Sequence, residues 1–199
     1  MSKHHISFLI NDSNRLIIEL QESLDNVHCC YEAPIILLHN NKKIDLSSHS
    51  IRDLVSDINY FAKQLTDNKL QLHESIIQDI GFLLNEDLQY KPGLFTIQKN
   101  GHDSWVGYAY LLVMGYKETV WFYNSPDSAI ICEVTPKFPF SYKNYKKDLN
   151  YIPYKNWIKN YKPYFITHAS SSFIQEWITQ SENILKMIEE NIRRWHENK

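Results

Sequence analysis

Apolar residues open the chain in two alternating runs, Ile6-Ser7-Phe8-Leu9-Ile10 and Leu16-Ile17-Ile18-Glu19-Leu20, on either side of the polar cluster Asn11-Asp12-Ser13-Asn14. Period-two alternation around such a cluster predicts a β-hairpin. A further strand is expected over Val27–Tyr31. Another is expected over Ile35–Leu38, turned by Asn40-Asn41, residues that tolerate positive φ, into Lys43–Leu46. From Ser48 or Ser50 the period changes. Ile51, Leu54, Val55, Ile58, Phe61, Ala62 and Leu65 recur at three-and-four spacing, one stripe of a helix, with Ser50 and Asp53 as a capping arrangement.

The stretch Leu70–Leu88 has mixed periodicity, and its Ile76, Ile77, Ile80, Phe82, Leu83 and Leu84 suit either a second helix or buried extended chain. Trp105–Met114, Thr119–Tyr123 and Ala129–Val134 are rich in aromatic and β-branched residues, punctuated by Gly115 and by Asn124-Ser125-Pro126-Asp127-Ser128. They read as a three-stranded antiparallel meander. Pro136, Pro139, Pro153 and Pro163 divide an irregular segment with a short helix around Tyr154–Tyr161. From about Ser172 onward Phe173, Trp177, Ile184, Ile188, Ile192 and Trp195 follow helical spacing, with Ser172 and Gln175 as a capping box. The expected fold class is α+β: a β-rich N-terminal part, a central meander and a long C-terminal amphipathic helix packed on a mainly antiparallel sheet.

At 199 residues, with 43% hydrophobic and 22% charged positions, the chain is expected to form a single domain spanning 1–199. It carries no apolar run near the ~20 residues that cross a bilayer, and Met1 to Asn14 lacks the layout of a secretory signal, so a cytosolic location is expected. Three cysteines, Cys29, Cys30 and Cys132, leave one over after any pairing and argue against a disulfide scaffold.

Catalytic and cofactor motifs are missing: G-x-G-x-x-G, a Walker-type loop, G-x-S-x-G and H-E-x-x-H do not occur, and five glycines are few for a phosphate cradle. No cofactor is expected. Nine histidines show no recurrent ligand spacing, so no metal site is expected. Cys29-Cys30 beside Tyr31-Glu32 reads as one buried and one partly exposed thiol, because strand neighbours point to opposite faces. His102-Asp103-Ser104 holds the residue types of a hydrolytic triad, but consecutive positions do not give triad geometry. Tyr142 and Lys146 have the offset of a dehydrogenase pair without the Gly-rich turn that accompanies one. Among carboxylates, Glu86, Asp87 and Glu133 would serve catalysis if their pKa values were raised. Alternation places Glu133 with Ile131 on the solvent face of its strand.

Charge is unevenly spread. Lysines 137, 143, 146, 147, 155, 159 and 162 face only Asp148 in Lys137–Pro163, giving that segment about +6 and the rest of the chain about −8. Tyrosines and Trp157 interleave with these lysines. The mixture suits a protein interface with large rigid contact area and steering charge, a single-stranded nucleic-acid platform, or a solvated loop. The absence of Arg from the segment weighs against specific nucleic-acid readout. The candidate interface is Lys143, Tyr145, Lys146, Lys147, Tyr151, Tyr154, Lys155, Trp157 and Lys159.

The succession Trp105-Val106-Gly107, Trp121-Phe122-Tyr123-Asn124, Ile131-Cys132-Glu133-Val134-Thr135-Pro136, Trp157-Ile158-x-x-Tyr161-x-Pro163 and Trp177 with Ile184-Leu185 resembles bacterial immunity proteins of polymorphic toxin and contact-dependent inhibition systems. The likeness covers residues 75–195 in style and order. It implies a cytosolic α+β protein that binds and neutralises a cognate toxin domain without chemistry of its own. It carries over no contact residues, since such interfaces share no motif. The alternatives are a small hydrolase or transferase whose carboxylates and histidines converge only in three dimensions, and a single-stranded nucleic-acid binder using 137–163.

Overall fold

The computed structural model describes residues 4–27, 31–74, 76, 79–89, 96–99, 102–139 and 151–197. Strands β1 (His4–Asn11), β2 (Asn14–Leu20), β3 (Glu32–His39) and β4 (Lys42–Ser50) form one antiparallel sheet in the order β1-β2-β3-β4. In β1 and β2 the alternation of the sequence is the alternation of burial: Ile6, Phe8 and Ile10 of β1 point inward with Leu16, Ile18 and Leu20 of β2. The β3–β4 turn places Asn40 and Asn41 at φ 48° and 64°, the left-handed region their side chains tolerate. The strand expected over Val27–Tyr31 does not form at its described ends. A 3₁₀ turn, Leu24–Asn26, precedes Val27, and Tyr31 stands outside β3, while His28, Cys29 and Cys30 lie outside the described residues.

Helix α1 (Ile51–Thr66) begins as its sequence predicts, with Ser50 Oγ accepting from the Asp53 N–H at 3.5 Å, and it buries its whole apolar stripe. The mixed-period stretch resolves into a short extended piece, where Gln71 bridges Asn124, followed by helix α2 (Ile80–Gln89). The expected long strand over Trp105–Met114 is instead three pieces. Strand β6 (His102–Trp105), paired with β5 (Thr96–Lys99), gives way to a 3₁₀ turn at Val106–Tyr110 and then to β7 (Leu111–Met114). The turn has a physical cause. Gly107 sits so close under the Trp105 ring that a side chain there would overlap it, and the Tyr110 hydroxyl is tied to the Gln71 carbonyl at 2.8 Å and the His73 N–H at 2.9 Å.

Strands β7, β8 (Glu118–Asn124) and β9 (Ile130–Pro136) form the expected meander, and the second sheet is completed by a strand the sequence reading missed, β10 (Phe165–His168), in the order β10-β9-β8-β7. Between β9 and β10 lies the short helix α3 (Tyr154–Trp157), continued as a 3₁₀ turn over Ile158–Asn160.

Helix α4 (Ser171–Glu197) closes the core. Its buried positions, Ile174, Trp177, Ser181, Ile184, Ile188 and Asn191, follow one 3-4 stripe. Ser172 lies inside the helix, so the expected Ser172–Gln175 capping box is not the start signal; the Ile174 N–H donates to the Ser170 carbonyl one turn earlier. Trp195, at the far end, is exposed. Trp177 meets Phe8 of the first sheet at 5.6 Å and Phe122 of the second at 5.4 Å, both edge-on, so one hydrophobic cluster runs through both sheets. Buried asparagines complete the joints: Asn191 donates to the Leu24 and Val27 carbonyls, and Asn124 donates to the Leu65 carbonyl and accepts from the Leu70 N–H. Among the described residues, no helix is long and apolar enough to cross a membrane.

Candidate functional site

Residues 151–164 form a small annex on the second sheet. Pro153 fixes the chain at the entry to α3, and its carbonyl accepts from the Asn156 and Trp157 N–H groups. Tyr154 is buried against Phe138, ring centroids 5.2 Å apart, and its hydroxyl donates to Glu86 Oε1 at 2.7 Å. Trp157 leans on both Phe138 and Tyr161. These rings make a second hydrophobic cluster, anchored to α2 through Asn85. That residue donates to the Gly81 and Pro136 carbonyls and accepts from the Phe138 N–H.

A cleft of about 390 Å³ opens on the outer side of the annex, lined by Pro136, Ile152, Asn156, Trp157, Asn160, Tyr161, Lys162 and Tyr164. Around it, Ile152, Tyr164 and Ile166 are 48%, 51% and 57% exposed, high values for side chains of their size. Tyr164 donates its N–H to the Val134 carbonyl just before β10, so Tyr164 and Ile166, two residues apart on extended chain, share a face. Lys155, Lys159 and Lys162 are exposed on the same segment.

Of the interface residues read from sequence, Lys155 and Lys159 are exposed, Tyr151 and Trp157 are half-buried, and Tyr154 is buried; Lys143, Tyr145, Lys146 and Lys147 lie outside the described residues. Tyr154 and Trp157 therefore build the floor of the annex. The exposed apolar residues Ile152, Tyr164 and Ile166 were not singled out, because their neighbours carry no periodic signal: β10 is only four residues long.

Behind the cleft a buried carboxyl, Glu133, faces a half-buried one, Asp79. The expectation that Glu133 faces solvent is wrong: it is 3% exposed. Strand β9 has a partner on each side, and its Glu133 face is covered by Asp79 at the start of α2, by Tyr123 of β8 and by Tyr161 of the annex. Tyr123 donates its hydroxyl to Glu133 Oε2 at 2.9 Å, whereas Glu133 Oε1 is buried and, among the described residues, accepts from no N–H or O–H donor. Asp79 Oδ1 accepts the Phe82 N–H at 2.8 Å, capping α2, and also accepts the Tyr161 hydroxyl. Burial, followed by the facing Asp79 charge, pushes the Glu133 pKa up to about 7. A proton on Glu133 would give its orphan oxygen a hydrogen to donate towards the facing Asp79. Burial also raises the Tyr123 and Tyr161 phenols, which stay neutral donors. Next to the pair, Thr135 Oγ1 meets Thr119 Oγ1 at 2.7 Å and accepts from Trp121 Nε1 at 2.9 Å.

The other candidate chemistries do not converge here. Burial and then the charge of Glu133 raise the Cys132 thiol far above its ordinary value, which keeps it protonated and inert. Cys29, Cys30, Tyr142 and Lys146 lie outside the described residues, and His102-Asp103-Ser104 belong to β6. Among the described residues, no group of three His, Cys, Asp or Glu stands close enough to hold a metal ion. The chain matches no protein-family model, no curated protein and no solved structure.

Proposed function

We propose that this chain is a non-enzymatic binding protein, an immunity protein that neutralises a bacterial toxin domain by direct association through the cleft face of residues 151–166. The observation that carries the reading is the company kept by the exposed apolar residues: Ile152, Tyr164 and Ile166 stand beside Lys155, Lys159 and Lys162 over a packed aromatic floor. Apolar anchors on a rigid base supply contact energy, and a cationic rim steers an acidic partner. Tyr154, one of the rings that would serve a stacking platform, is buried and offers no free face to a base.

A second reading, a hydrolase or transferase, draws on the Asp79–Glu133 pair, since a carboxyl with a pKa near 7 is suited to acid–base work. Against it stands access: Glu133 lies at the back of the cleft wall, covered by Tyr123 and Tyr161. The pair is better placed to hold structure than to meet a substrate.

Co-expression with the product of the gene immediately upstream, scored by growth rescue and co-purification, tests the reading. Rescue with a stable complex is expected; toxicity without rescue or association would remove it. With the partner in hand, the triple change Lys155→Glu, Lys159→Glu and Lys162→Glu is expected to slow association about 10- to 100-fold at low salt. The same change should leave the melting temperature close to wild type, because all three side chains are exposed. Undiminished association by stopped-flow would take this face out of the interface.

A further inference from the structure

We propose that the Asp79–Glu133 pair is a one-proton latch that closes the 151–164 annex, and with it the cleft, when protonated and releases it when the proton is lost. The geometry routes the pair to the annex through one hydroxyl. Tyr161 lines the cleft, packs on Trp157 and on Phe82, and donates to Asp79, while Asp79 caps α2 and faces Glu133. A second tie, Tyr154 to Glu86, starts from the same helix. Movement of the α2 start therefore pulls on both anchors of the annex.

The groups that face Glu133 come from every element packed on it. Among the described residues they are Asp79 from the α2 start, Tyr123 from β8 and Tyr161 from the annex, while Cys132, next to it on β9, points to the opposite face; across the ladder it meets Trp121 and Ile166, which carry no charge. None of these is a cation. When Glu133 ionises, its buried carboxylate opposes that of half-buried Asp79; among the described residues Tyr123 donates to Glu133, and Tyr161 and the Phe82 N–H donate to Asp79, and the relief available is for Asp79 and Tyr161 to move outward, which opens the cleft wall. The latch acts whatever partner the cleft takes, so its test needs none.

The sign follows from proton binding. The folded chain holds a proton on Glu133 up to a pKa of about 7, which the unfolded chain releases near the ordinary carboxyl value, so the contribution is complete at low pH and is lost as pH rises towards 7. Hydrogen exchange read by mass spectrometry on peptides covering 151–164, corrected for intrinsic rates, is the deciding measurement. Opening of the annex in the wild type is expected to increase roughly tenfold or more from pH 6 to pH 8 while α1 stays protected. Glu133→Gln keeps a donor for Asp79 and an acceptor for Tyr123 but does not titrate; its annex is expected to stay closed across the range. Tyr161→Phe cuts the link and should leave annex exchange independent of pH, while thermal stability still falls as pH rises. A wild-type annex insensitive to pH, or a Glu133→Gln annex that opens in parallel with it, would overturn the latch. Should Glu133→Gln fail to fold, pH-dependent opening that persists in Tyr161→Phe would do the same.

Discussion

Gly81→Ala is expected to destabilise the protein by about 3–4 kcal/mol, against the ordinary direction of that substitution in a helix. In an exposed helix, alanine is favoured over glycine by up to ~1 kcal/mol. Here a Cβ would sit 2.5 Å from both Thr135 Cβ and the Tyr161 hydroxyl, closer than side chains approach. Thr135 has no room to yield, since its hydroxyl is engaged with Thr119 and Trp121 in the interior. The helix must move instead, which strains the Asn85 bonds to Pro136 and Phe138 and the Asp79 contacts at the α2 start. Overpacking costs about 1–3 kcal/mol, and each buried polar group left unpaired about 1–3 more. Urea unfolding measures the sum. A variant as stable as wild type would mean that α2 does not rest on β9 at this distance.

Trp177→Ala is the other large effect, about 3–5 kcal/mol. Trp177 is buried between Phe8 of the first sheet and Phe122 of the second, and its indole N–H donates to the Leu9 carbonyl at 2.7 Å. Truncation leaves a void bounded by both sheets and an acceptor without its donor, and neither sheet collapses into it without pulling away from α4. Set against a typical total of about 5–15 kcal/mol, this brings the fold near its limit. Trp177→Phe, which keeps one ring in place, is expected to recover about half the loss by equilibrium unfolding. Equal losses for the two variants would show that the hydrogen bond to Leu9, and not ring packing, carries the contribution of Trp177.

Part of the fold was legible because burial there has one face: in β1 and β2, and in the stripes of α1 and α4, solvent on one side and core on the other write a period of two or of 3.6 into the chain, while β8 and β9 were legible from β-branched and aromatic composition between turn clusters. Glu133 was misread by the alternation rule applied where it fails. Ile130-Ile131-Cys132-Glu133-Val134-Thr135 is buried from end to end, as expected of a strand covered on both faces, and a near-continuous apolar run is the mark of that situation. One acid inside such a run was the available signal for a buried charge. Asp79, three residues before Phe82 at the head of an apolar run, carried a cap signal that the mixed periodicity around it hid. Their meeting was not legible at all, since it depends on how α2 lies over β9. The short β10 and the Val106–Tyr110 turn escaped for a related reason: both are held by distant partners, Val134 and Gln71, rather than by local preference.

Among the described residues helix α4 follows every strand in chain order, yet the contacts it supplies reach back to the first: Trp177 and Leu9 are separated by 168 positions. Such separation gives the fold a high contact order, and closing so long a loop must precede the reward for it. On the ribosome, both sheets emerge with the part of their apolar faces that α1 does not cover still open, and wait for the helix that seals it. Refolding from denaturant is therefore expected to be slow and prone to aggregation before α4 docks, with chaperones that shield apolar surface raising its yield.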